Sequence, residues 1–209
     1  KINGLLGPNG SGKTTLFNII AGFIESNEGQ IFLDNKDLTS LTLSARSKLG
    51  ISYLPQEASV FRDMSVYDNI HSISELFHNK KKSFEITNNL INQFSLQSFQ
   101  KTKGKLLSGG ERRRTEIARA LASSPKFLLL DEPFAGIDPI AIEEVKSTIA
   151  LLKKLNIGII ITDHNVKEAL SIVDFGYIIY NGEIIKSGNP NEIISDEFVK
   201  KIYLGKNYK

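Results

Sequence analysis

The feature that most constrains the fold of this chain is a glycine-rich octapeptide close to its first residue. The eight residues are Gly7, Pro8, Asn9, Gly10, Ser11, Gly12, Lys13 and Thr14. An apolar run over residues 2–6, typical of a buried strand, precedes them, and a helical pattern over 13–21 follows. Glycines let successive backbone N–H groups turn inward, and the helix N-terminus adds partial positive charge, so the segment predicts a phosphate-binding loop. In such a loop Lys13 reaches the β- and γ-phosphates of a nucleotide, and the Thr14 hydroxyl ligates Mg²⁺.

Strand-like and helical segments alternate along the remaining chain. The run 127–130 is continuously apolar, as a strand buried on both faces of a parallel sheet is, and 157–162 is predicted as the next buried strand. Residues 139–155 carry the amphipathic pattern of a helix. The predicted fold class is therefore α/β, with a mainly parallel core sheet flanked by helices.

Two regions depart from this alternation. A polar, helical stretch at about 57–125 predicts an inserted helical subdomain, and its Lys80-Lys81-Lys82 run is expected in a solvated loop. At about 175–209 the sequence predicts a C-terminal hairpin, turning at Asn181-Gly182, and then a helix. The chain starts at Lys1, already inside a predicted strand, and we expect it to be truncated at its N-terminus.

Composition excludes several classes of protein. No apolar stretch approaches the about 20 residues that a membrane-spanning helix needs, so a role at a membrane would require partners. The chain has no cysteine, which excludes disulfides and thiolate metal sites and fits a reducing compartment. A net charge of +3 is too small to indicate nucleic-acid binding.

A second part of the nucleotide site is predicted at the end of the apolar run 127–130. Asp131 follows this run directly, at the tip of a buried strand, where its carboxylate can hold the hydration shell of Mg²⁺. Glu132 comes next and would face the γ-phosphate, where it can polarise a water molecule as general base. Two adjacent acids at a strand end can also be a plain surface feature, and the phosphate loop in the same chain favours the catalytic interpretation.

A further anion site is predicted at Leu107-Ser108-Gly109-Gly110-Glu111. Ser108 stands at a helix N-cap position, and the two glycines leave the backbone bare. One chain does not easily bring this turn and the phosphate loop to the same phosphate. A head-to-tail homodimer does, with each nucleotide held between the loop of one subunit and the Ser108 turn of the other. The sequence therefore predicts in-trans contacts from residues 107–111.

Together these motifs resemble those of ABC ATPases over essentially the whole chain. The motifs, in family order and spacing, are the phosphate loop, Gln56, the Ser108 turn, Asp131-Glu132, Ala135-Gly136-Ile137-Asp138 and His164. The Ala135–Asp138 loop is not the commonest version in the family. The resemblance implies a P-loop NTPase fold of ABC type, ATP and Mg²⁺ as cofactors, and ATP hydrolysis coupled to transmembrane transport.

The resemblance also implies roles for individual residues. Gln56 contacts Mg²⁺ and the lytic water, Asp138 lies at the dimer interface, and His164 contacts the γ-phosphate as a second catalytic residue. Thr15 joins the ATP-binding set, and the aromatic residue that stacks on adenine falls before Lys1. On the pattern alone, a single histidine after a strand is more often structural.

The partners implied by the resemblance are a second copy of the chain and two transmembrane permease subunits. They would place the protein on the cytoplasmic face of the inner membrane, in contact with the bilayer only through these partners and without nucleic acid.

Shorter stretches narrow the resemblance. They are residues 51–62, 111–121, 132–139, 162–165 and 203–205. Together they resemble the ATPase subunits of lipopolysaccharide export systems, with the ATPases of branched-chain amino-acid importers as the alternative. Soluble ABC ATPases of translation or DNA repair are an alternative of another class. The repair type inserts a long coiled coil where this chain has few residues, and the translation type carries two ATPase domains.

Phe61 and Arg62 predict a docking site for a transmembrane partner. They follow Gln56 closely, at the start of the predicted insertion. A large aromatic ring beside an arginine is the typical composition of an interface anchor. In similar exporters this region forms the groove for a cytoplasmic helix of the partner. The alternative is that Phe61 packs inside the insertion.

Overall fold

The fold was analysed in a computed structural model that describes residues 1–136 and 138–201. Ile137 of the predicted dimer loop and the stretch Tyr203-Leu204-Gly205 lie outside the described residues.

In the described part of the chain, eight strands form two sheets. The strands are β1 (Ile2–Leu6), β2 (Phe32–Leu33), β3 (Lys36–Asp37), β4 (Ile51–Leu54), β5 (Phe127–Asp131), β6 (Gly158–Asp163), β7 (Phe175–Tyr180) and β8 (Glu183–Gly188). The larger sheet has the order β4-β5-β6-β1-β7-β8. Its first five strands in this order are parallel, and β8 pairs antiparallel with β7. β2 and β3 form a separate antiparallel ribbon.

Helices connect these strands and cover the sheet. They are α1 (Lys13–Ala21), α2 (Leu43–Lys48), α3 (Val66–Phe77), α4 (Lys80–Gln93), α5 (Gly109–Leu121), α6 (Pro139–Lys154), α7 (Val166–Leu170), α8 (Pro190–Ser195) and α9 (Glu197–Val199). Two short 3-10 helices, Gln97–Phe99 and Gly104–Leu106, lie between α4 and α5. No helix in residues 1–136 and 138–201 is both long enough and apolar enough to cross a bilayer.

The strand β5 shows why continuous apolar runs become buried parallel strands here. Leu128 and Leu130 belong to a core cluster that includes Ile117 of α5 and Ile149 of α6. Leu129, between them, belongs to a second cluster with Phe17 of α1. Alternate side chains of a strand point to opposite faces, so β5 is covered by helices on both sides. The α/β prediction with a mainly parallel sheet is confirmed.

The predicted hairpin and its turn are also present. Asn181 and Gly182 connect β7 to β8 with φ angles of 49° and 83°, the two positive values that a type I′ turn needs. Asn189 then caps α8, accepting a hydrogen bond from Glu192 N, with Pro190 at the first helical position.

The prediction that Lys80-Lys81-Lys82 lie in a loop is wrong, because these residues form the first turn of α4. The Asn79 side chain accepts a hydrogen bond from Lys82 N at 3.0 Å. Residues such as Thr87 and Leu90 bury one face of the helix. Capping and burial outweigh the unfavourable position of three cations at the positive end of a helix dipole. The three lysines are exposed, as expected for a solvated run.

The helices α3, α4 and α5 all lie between β4 and β5, within the stretch predicted as an insertion. α3 packs against both α4 and α5. The boundaries of this stretch as a separate subdomain stay a prediction.

Candidate active site

The candidate site lies at the carboxyl edge of the large sheet. In the strand register, Leu6 at the end of β1 pairs with Asp163 at the end of β6. Asp131 at the end of β5 pairs with Thr162 of β6. The phosphate loop after β1 and the acidic residues after β5 and β6 therefore meet at one edge, where ligands of open α/β sheets bind.

The phosphate loop is held in a shape that requires its glycines. A Cβ atom on Gly7 would lie 2.2 Å from the carbonyl oxygen of Ile179 in β7, which leaves no room for a side chain. Gly10 and Gly12 have φ angles of 78° and 104°, a backbone conformation that residues with a side chain rarely adopt. Gly12 then caps α1, and Asn9, Gly10, Thr14 and Thr15 remain exposed.

Lys13 points back into this loop. Its ammonium group donates to the carbonyl oxygens of Gly7 at 2.9 Å and Pro8 at 3.0 Å. Burial lowers the pKa of Lys13, and the nearby carboxylates of Glu132, Asp131 and Asp163 oppose that effect. The side chain is only 5% exposed, so a buried cation lies inside the phosphate loop. This is the charge that nucleotide phosphates need.

Ser11 adds an unsatisfied donor to the same loop. Its hydroxyl is buried and has no hydrogen-bond partner among the described residues. Buried polar groups in native proteins are nearly always satisfied, so an orphaned hydroxyl in a phosphate loop fits a ligand oxygen as its missing partner. The backbone of Ser11 is braced from the β7–β8 turn, since Gly182 N donates to Ser11 O at 3.0 Å.

Asp131 is fixed by two hydroxyl groups from neighbouring strands. The Thr162 hydroxyl donates to Asp131 Oδ1, and the Tyr53 hydroxyl donates to Asp131 Oδ2 at 3.1 Å. Burial raises the pKa of Tyr53, and the negative charge of Asp131 raises it further, which keeps the phenol protonated as a donor. The carboxylate is 2% exposed and fixed in orientation.

Glu132 and His164 face each other across the ends of β5 and β6. His164 Nδ1 lies 3.1 Å from Glu132 Oε2. A hydrogen bond between these two atoms requires the tautomer with the proton on Nδ1, because an ionised carboxylate only accepts. Glu132 has a φ angle of 43°, a left-handed conformation that is uncommon for glutamate. Its backbone N–H donates to the Thr162 hydroxyl at 3.1 Å, which supports this conformation.

Gln56 and Glu132 line the same small cleft of about 100 Å³. The other lining residues are Ala58, Gly109, Arg112, Arg113, Glu116, Pro133, Ala135 and Gly136. The Gln56 side chain is exposed, two residues beyond the end of β4. The fold therefore brings Gln56 and Glu132 into one cleft.

The Ser108 turn is built as a capping box at the start of α5. Ser108 Oγ accepts from Glu111 N at 3.4 Å, and Ser108 N donates to Glu111 Oε2 at 2.9 Å. A Cβ on Gly110 would lie 2.7 Å from Glu144 Oε2, at the end of a flexible side chain that would have to move. A Cβ on Gly109 would meet nothing within 4 Å. Leu107 is buried, whereas Ser108 and Gly109 are exposed and open to a second molecule.

Asp138, expected at a dimer interface, is exposed immediately before α6. Its carbonyl oxygen accepts from Ile142 N at 3.0 Å and so begins the helix.

Comparison with known proteins identifies the family. A model described as ABC transporter matches residues 1–135. The chain belongs to the ABC transporter family of ATPases. The lipopolysaccharide export system ATP-binding protein LptB of Escherichia coli (strain K12) is 46% identical over 211 aligned residues, covering 100% of this chain and 88% of LptB. A probable ABC transporter ATP-binding protein of Azorhizobium caulinodans is 48% identical over 207 residues, covering 99% of this chain and 74% of that protein.

Solved structures agree with this assignment. An ATP-binding cassette of an ABC transporter, solved in its ADP conformation, has a TM-score of 0.86 and 30% identity and covers 98% of this chain and 88% of its own. A nucleotide-free cassette has a TM-score of 0.85 and 29% identity with the same coverages. The predicted ABC-type fold is confirmed.

Of the two predicted docking residues of this ABC ATPase, Phe61 is 42% exposed and lies at the rim of a groove of about 320 Å³. Arg62, the next residue in the chain, is also exposed. The guanidinium of Arg119 lies 4.6 Å from the centre of the Phe61 ring. Asn69 accepts from Phe61 N at 2.8 Å and donates to Phe61 O at 3.0 Å. The backbone is therefore fixed while much of the ring remains accessible, which argues against Phe61 as a core residue of the insertion.

Sequence reasoning missed three residues that organise the ABC ATPase site, namely Thr162, Tyr53 and Asp163. Asp163 is fully buried and accepts from Phe134 N at 3.1 Å and Asn165 N at 2.7 Å. Burial raises the pKa of Asp163, although these two hydrogen bonds act in the opposite direction. A usable signal was present, because two polar residues end an otherwise apolar strand directly before His164.

Proposed function

We propose that this chain is the ATP-hydrolysing subunit of an ABC transporter that extracts lipopolysaccharide from the inner membrane for export. The observation that carries the proposal is the 46% identity to LptB along the whole chain. The geometry supports it, because the phosphate loop, Asp131, Glu132 and His164 all lie at one sheet edge.

In the proposed binding step, the loop of residues 7–12 surrounds the ATP phosphates. The Lys13 ammonium exchanges the carbonyl oxygens of Gly7 and Pro8 for phosphate oxygens, and the exposed Thr14 and Thr15 lie at the start of α1. Thr14, Gln56 and, through water, Asp131 are the proposed holders of Mg²⁺. These hard oxygen donors fit Mg²⁺, which usually binds few protein ligands and keeps its waters. When bound, the ion neutralises charge on the transferred phosphoryl group.

In the proposed hydrolytic step, Glu132 takes the proton of the attacking water. Its carboxylate is 11% exposed and oriented by the His164 Nδ1–H group. A carboxylate held in one orientation within a partly dry cleft is suited to general-base catalysis. His164, on the outer side of this contact, is the proposed γ-phosphate ligand.

The proposed catalytic unit is a homodimer. Ser108 and Gly109 are exposed at the N-terminus of α5, and packing within the chain does not require a glycine at 109. The ATP of a second subunit is the proposed occupant of this turn, with Leu107, Gly110 and Glu111 around it and Asp138 at the same interface.

The proposed partners are two transmembrane permease subunits, each docked in the groove beside Phe61 and Arg62. The groove is apolar and open, with Phe23, Ile73 and Phe77 among its lining residues. In this arrangement the protein lies on the cytoplasmic face of the inner membrane.

Reconstitution tests the proposal. The chain and the membrane proteins that copurify with it are placed in proteoliposomes with fluorescent lipopolysaccharide, and ATP-dependent release of the lipid is measured against a Lys13→Ala control. The proposal expects ATP-dependent release by the wild type and none by the control. ATP hydrolysis with no lipid release, accompanied by ATP-driven uptake of leucine, would instead identify an importer.

A further inference from the structure

The segment of residues 55–61, which connects β4 to the region before α3, has no regular secondary structure. Its backbone N–H and C=O groups therefore need partners outside a helix or a ladder. Three side chains of α5, spaced three residues apart, supply several of these partners: Arg113, Glu116 and Arg119. We call these three side chains the clamp.

Glu116 is the centre of the clamp. Its Oε1 atom accepts from Ser59 N at 2.7 Å and from Val60 N at 3.1 Å. Its Oε2 atom lies 3.3 Å from Arg113 Nη1. Glu116 is 2% exposed and Arg113 is 8% exposed. A charge pair at this depth is retained only with good hydrogen bonding, and here part of that bonding is to the backbone of segment 55–61.

The two arginines extend the contact to both ends of the segment. Arg113 Nη1 also donates to Pro55 O at 3.2 Å, immediately before Gln56. Arg119 donates to Ser59 O at 2.6 Å and to Ser59 Oγ at 2.7 Å. The same Arg119 guanidinium packs over the ring of Phe61. Segment 55–61 is therefore attached to α5 at Pro55, on one side of Gln56, and at residues 59–61 on the other.

The clamp also lies beside the candidate chemistry. Arg113 and Glu116 line the cleft that contains Gln56 and Glu132. Arg119 lines the groove that contains Phe61. The helix that carries all three begins at the Ser108 turn.

We infer that Glu116 is a positioning residue of the ATPase site, which sets the place of Gln56 relative to Glu132 by holding segment 55–61 against α5. This inference rests on the proposed function and deepens it. Because the clamp joins segment 55–61 to α5, the two are expected to move together. A partner that moves in the groove would then shift Phe61, Gln56 and Ser108 at the same time.

The test is the ATPase kinetics of Glu116→Gln, a variant that keeps the shape of the side chain and removes its charge. We expect kcat to fall roughly tenfold, since small misplacements of a catalytic group have effects of at least this size. KM for ATP is expected to stay within about twofold, because the phosphate loop is untouched.

Asp174→Asn is the matched control. The Asp174 carboxylate also accepts a backbone N–H, from Ile2 at 2.9 Å, and also pairs with a cation, Lys153. It lies at the opposite, amino end of β1. This variant is expected to keep the wild-type kcat, whatever its melting temperature.

The Gln56→Ala variant, used as a second background, distinguishes a positioning role of Glu116 from a general effect on the fold. In Gln56→Ala, the further change Glu116→Gln should lower kcat little or not at all, because the residue it positions is gone. If Glu116 supports the fold only, the two changes lower kcat by independent factors that multiply, and the inference is overturned.

Ser59→Ala tests the clamp from the side of the segment, because Ser59 is the residue that Glu116 and Arg119 both hold. It removes only the bond between Ser59 Oγ and Arg119, and it decides the matter if Glu116→Gln does not fold. A smaller loss of kcat that disappears in the Gln56→Ala background supports the inference, and a wild-type kcat overturns it. A wild-type chain that hydrolyses no ATP overturns the proposed function itself, and this inference with it.

Discussion

The Thr162 hydroxyl links the two acidic residues, Asp131 and Glu132, at the carboxyl end of the neighbouring strand β5. It donates to Asp131 Oδ1 and accepts from Glu132 N. The side chain is fully buried, so neither bond is replaced by water when the hydroxyl is removed. A single threonine therefore sets the orientation of Asp131 and supports the left-handed backbone of Glu132.

Thr162→Val should lower both stability and activity. Valine has nearly the same shape, and the loss of one buried hydroxyl with two partners is expected to cost about 1–3 kcal/mol of unfolding free energy. Chemical denaturation and steady-state ATPase assays measure the two effects. Thr162→Ser keeps the hydroxyl and should recover most of both. A valine variant that matches the wild type in both assays contradicts this role.

Glu132→Gln should bind ATP and hydrolyse it very slowly. The amide keeps the shape of the side chain and cannot accept the proton of the water, so we expect a loss of about 10²–10⁴-fold in kcat. ATP should then hold the dimer closed, which gel filtration with ATP and Mg²⁺ detects. Glu183→Gln, at an exposed position in β8, is the control. A Glu132→Gln chain that remains monomeric with ATP, or that hydrolyses ATP at the normal rate, would contradict the assignment of Glu132 as the general base.

Individual site residues could be predicted from the sequence where they form a contiguous motif. Residues that act through contacts between strands could not. The loop around Lys13 and the pair Asp131-Glu132 each occupy neighbouring positions in the chain. The bond between Thr162 and Asp131 joins residues 31 positions apart, and Tyr53 reaches Asp131 over 78 positions. Such contacts depend on strand order, which no local pattern specifies.

Among the elements, the buried strands of the large sheet were predictable from the sequence, and the start of α4 was not. β5 and β6 are apolar up to the polar residues at their carboxyl ends, so their burial on both faces follows from composition. The start of α4 was missed because three successive lysines are typical of a loop, whereas a single capping contact from Asn79 and a buried face decide the structure.

Lys80→Glu should stabilise the protein. A negative charge in the first turn of α4 interacts favourably with the helix dipole, and the change should add about 0.3–1 kcal/mol at low salt. Thermal melts at low and high ionic strength check this, because salt screens the gain. Lys80→Gln should give part of the effect. A lower melting temperature for Lys80→Glu at low salt would mean that the lysine has a favourable partner.

For the whole molecule, Ser108 should act in trans. A Lys13→Ala chain mixed with a Ser108→Arg chain forms one composite site with two intact halves and one site with both defects. The mixture is therefore expected to recover ATPase activity that each variant lacks alone. Differently tagged chains allow mixed dimers to be purified and assayed. Mixed dimers with no recovered activity would exclude head-to-tail pairing.

Phe61→Ala and Arg62→Ala should impair assembly more than folding. The Phe61 ring is 42% exposed, so its loss should cost well below the about 3–5 kcal/mol of a buried Phe→Ala change. Melting temperature and ATPase activity of the isolated chain should stay close to those of the wild type, while copurification with membrane partners is lost. Phe84→Ala is a matched control, since Phe84 is also 42% exposed and lies on α4. Unchanged assembly in both variants, or a collapsed melting temperature for Phe61→Ala, would contradict docking at this rim.

The position of β1 in the sheet determines when during synthesis the phosphate loop can close. β1 is made before all of its neighbours in the sheet, and Ile2 pairs with Ile159 and Asn3 with Phe175. The carbonyl oxygen of Ile179 in β7 lies against Gly7 and leaves no room for a side chain there. A ribosome adds about 5–20 residues per second, so the loop stays without its neighbours for many seconds while the intervening chain emerges. ATP therefore cannot guide the early steps of folding. A nascent chain is expected to bind nucleotide only after β6 and β7 have emerged, so nucleotide binding by a growing polypeptide would report the synthesis of these two strands.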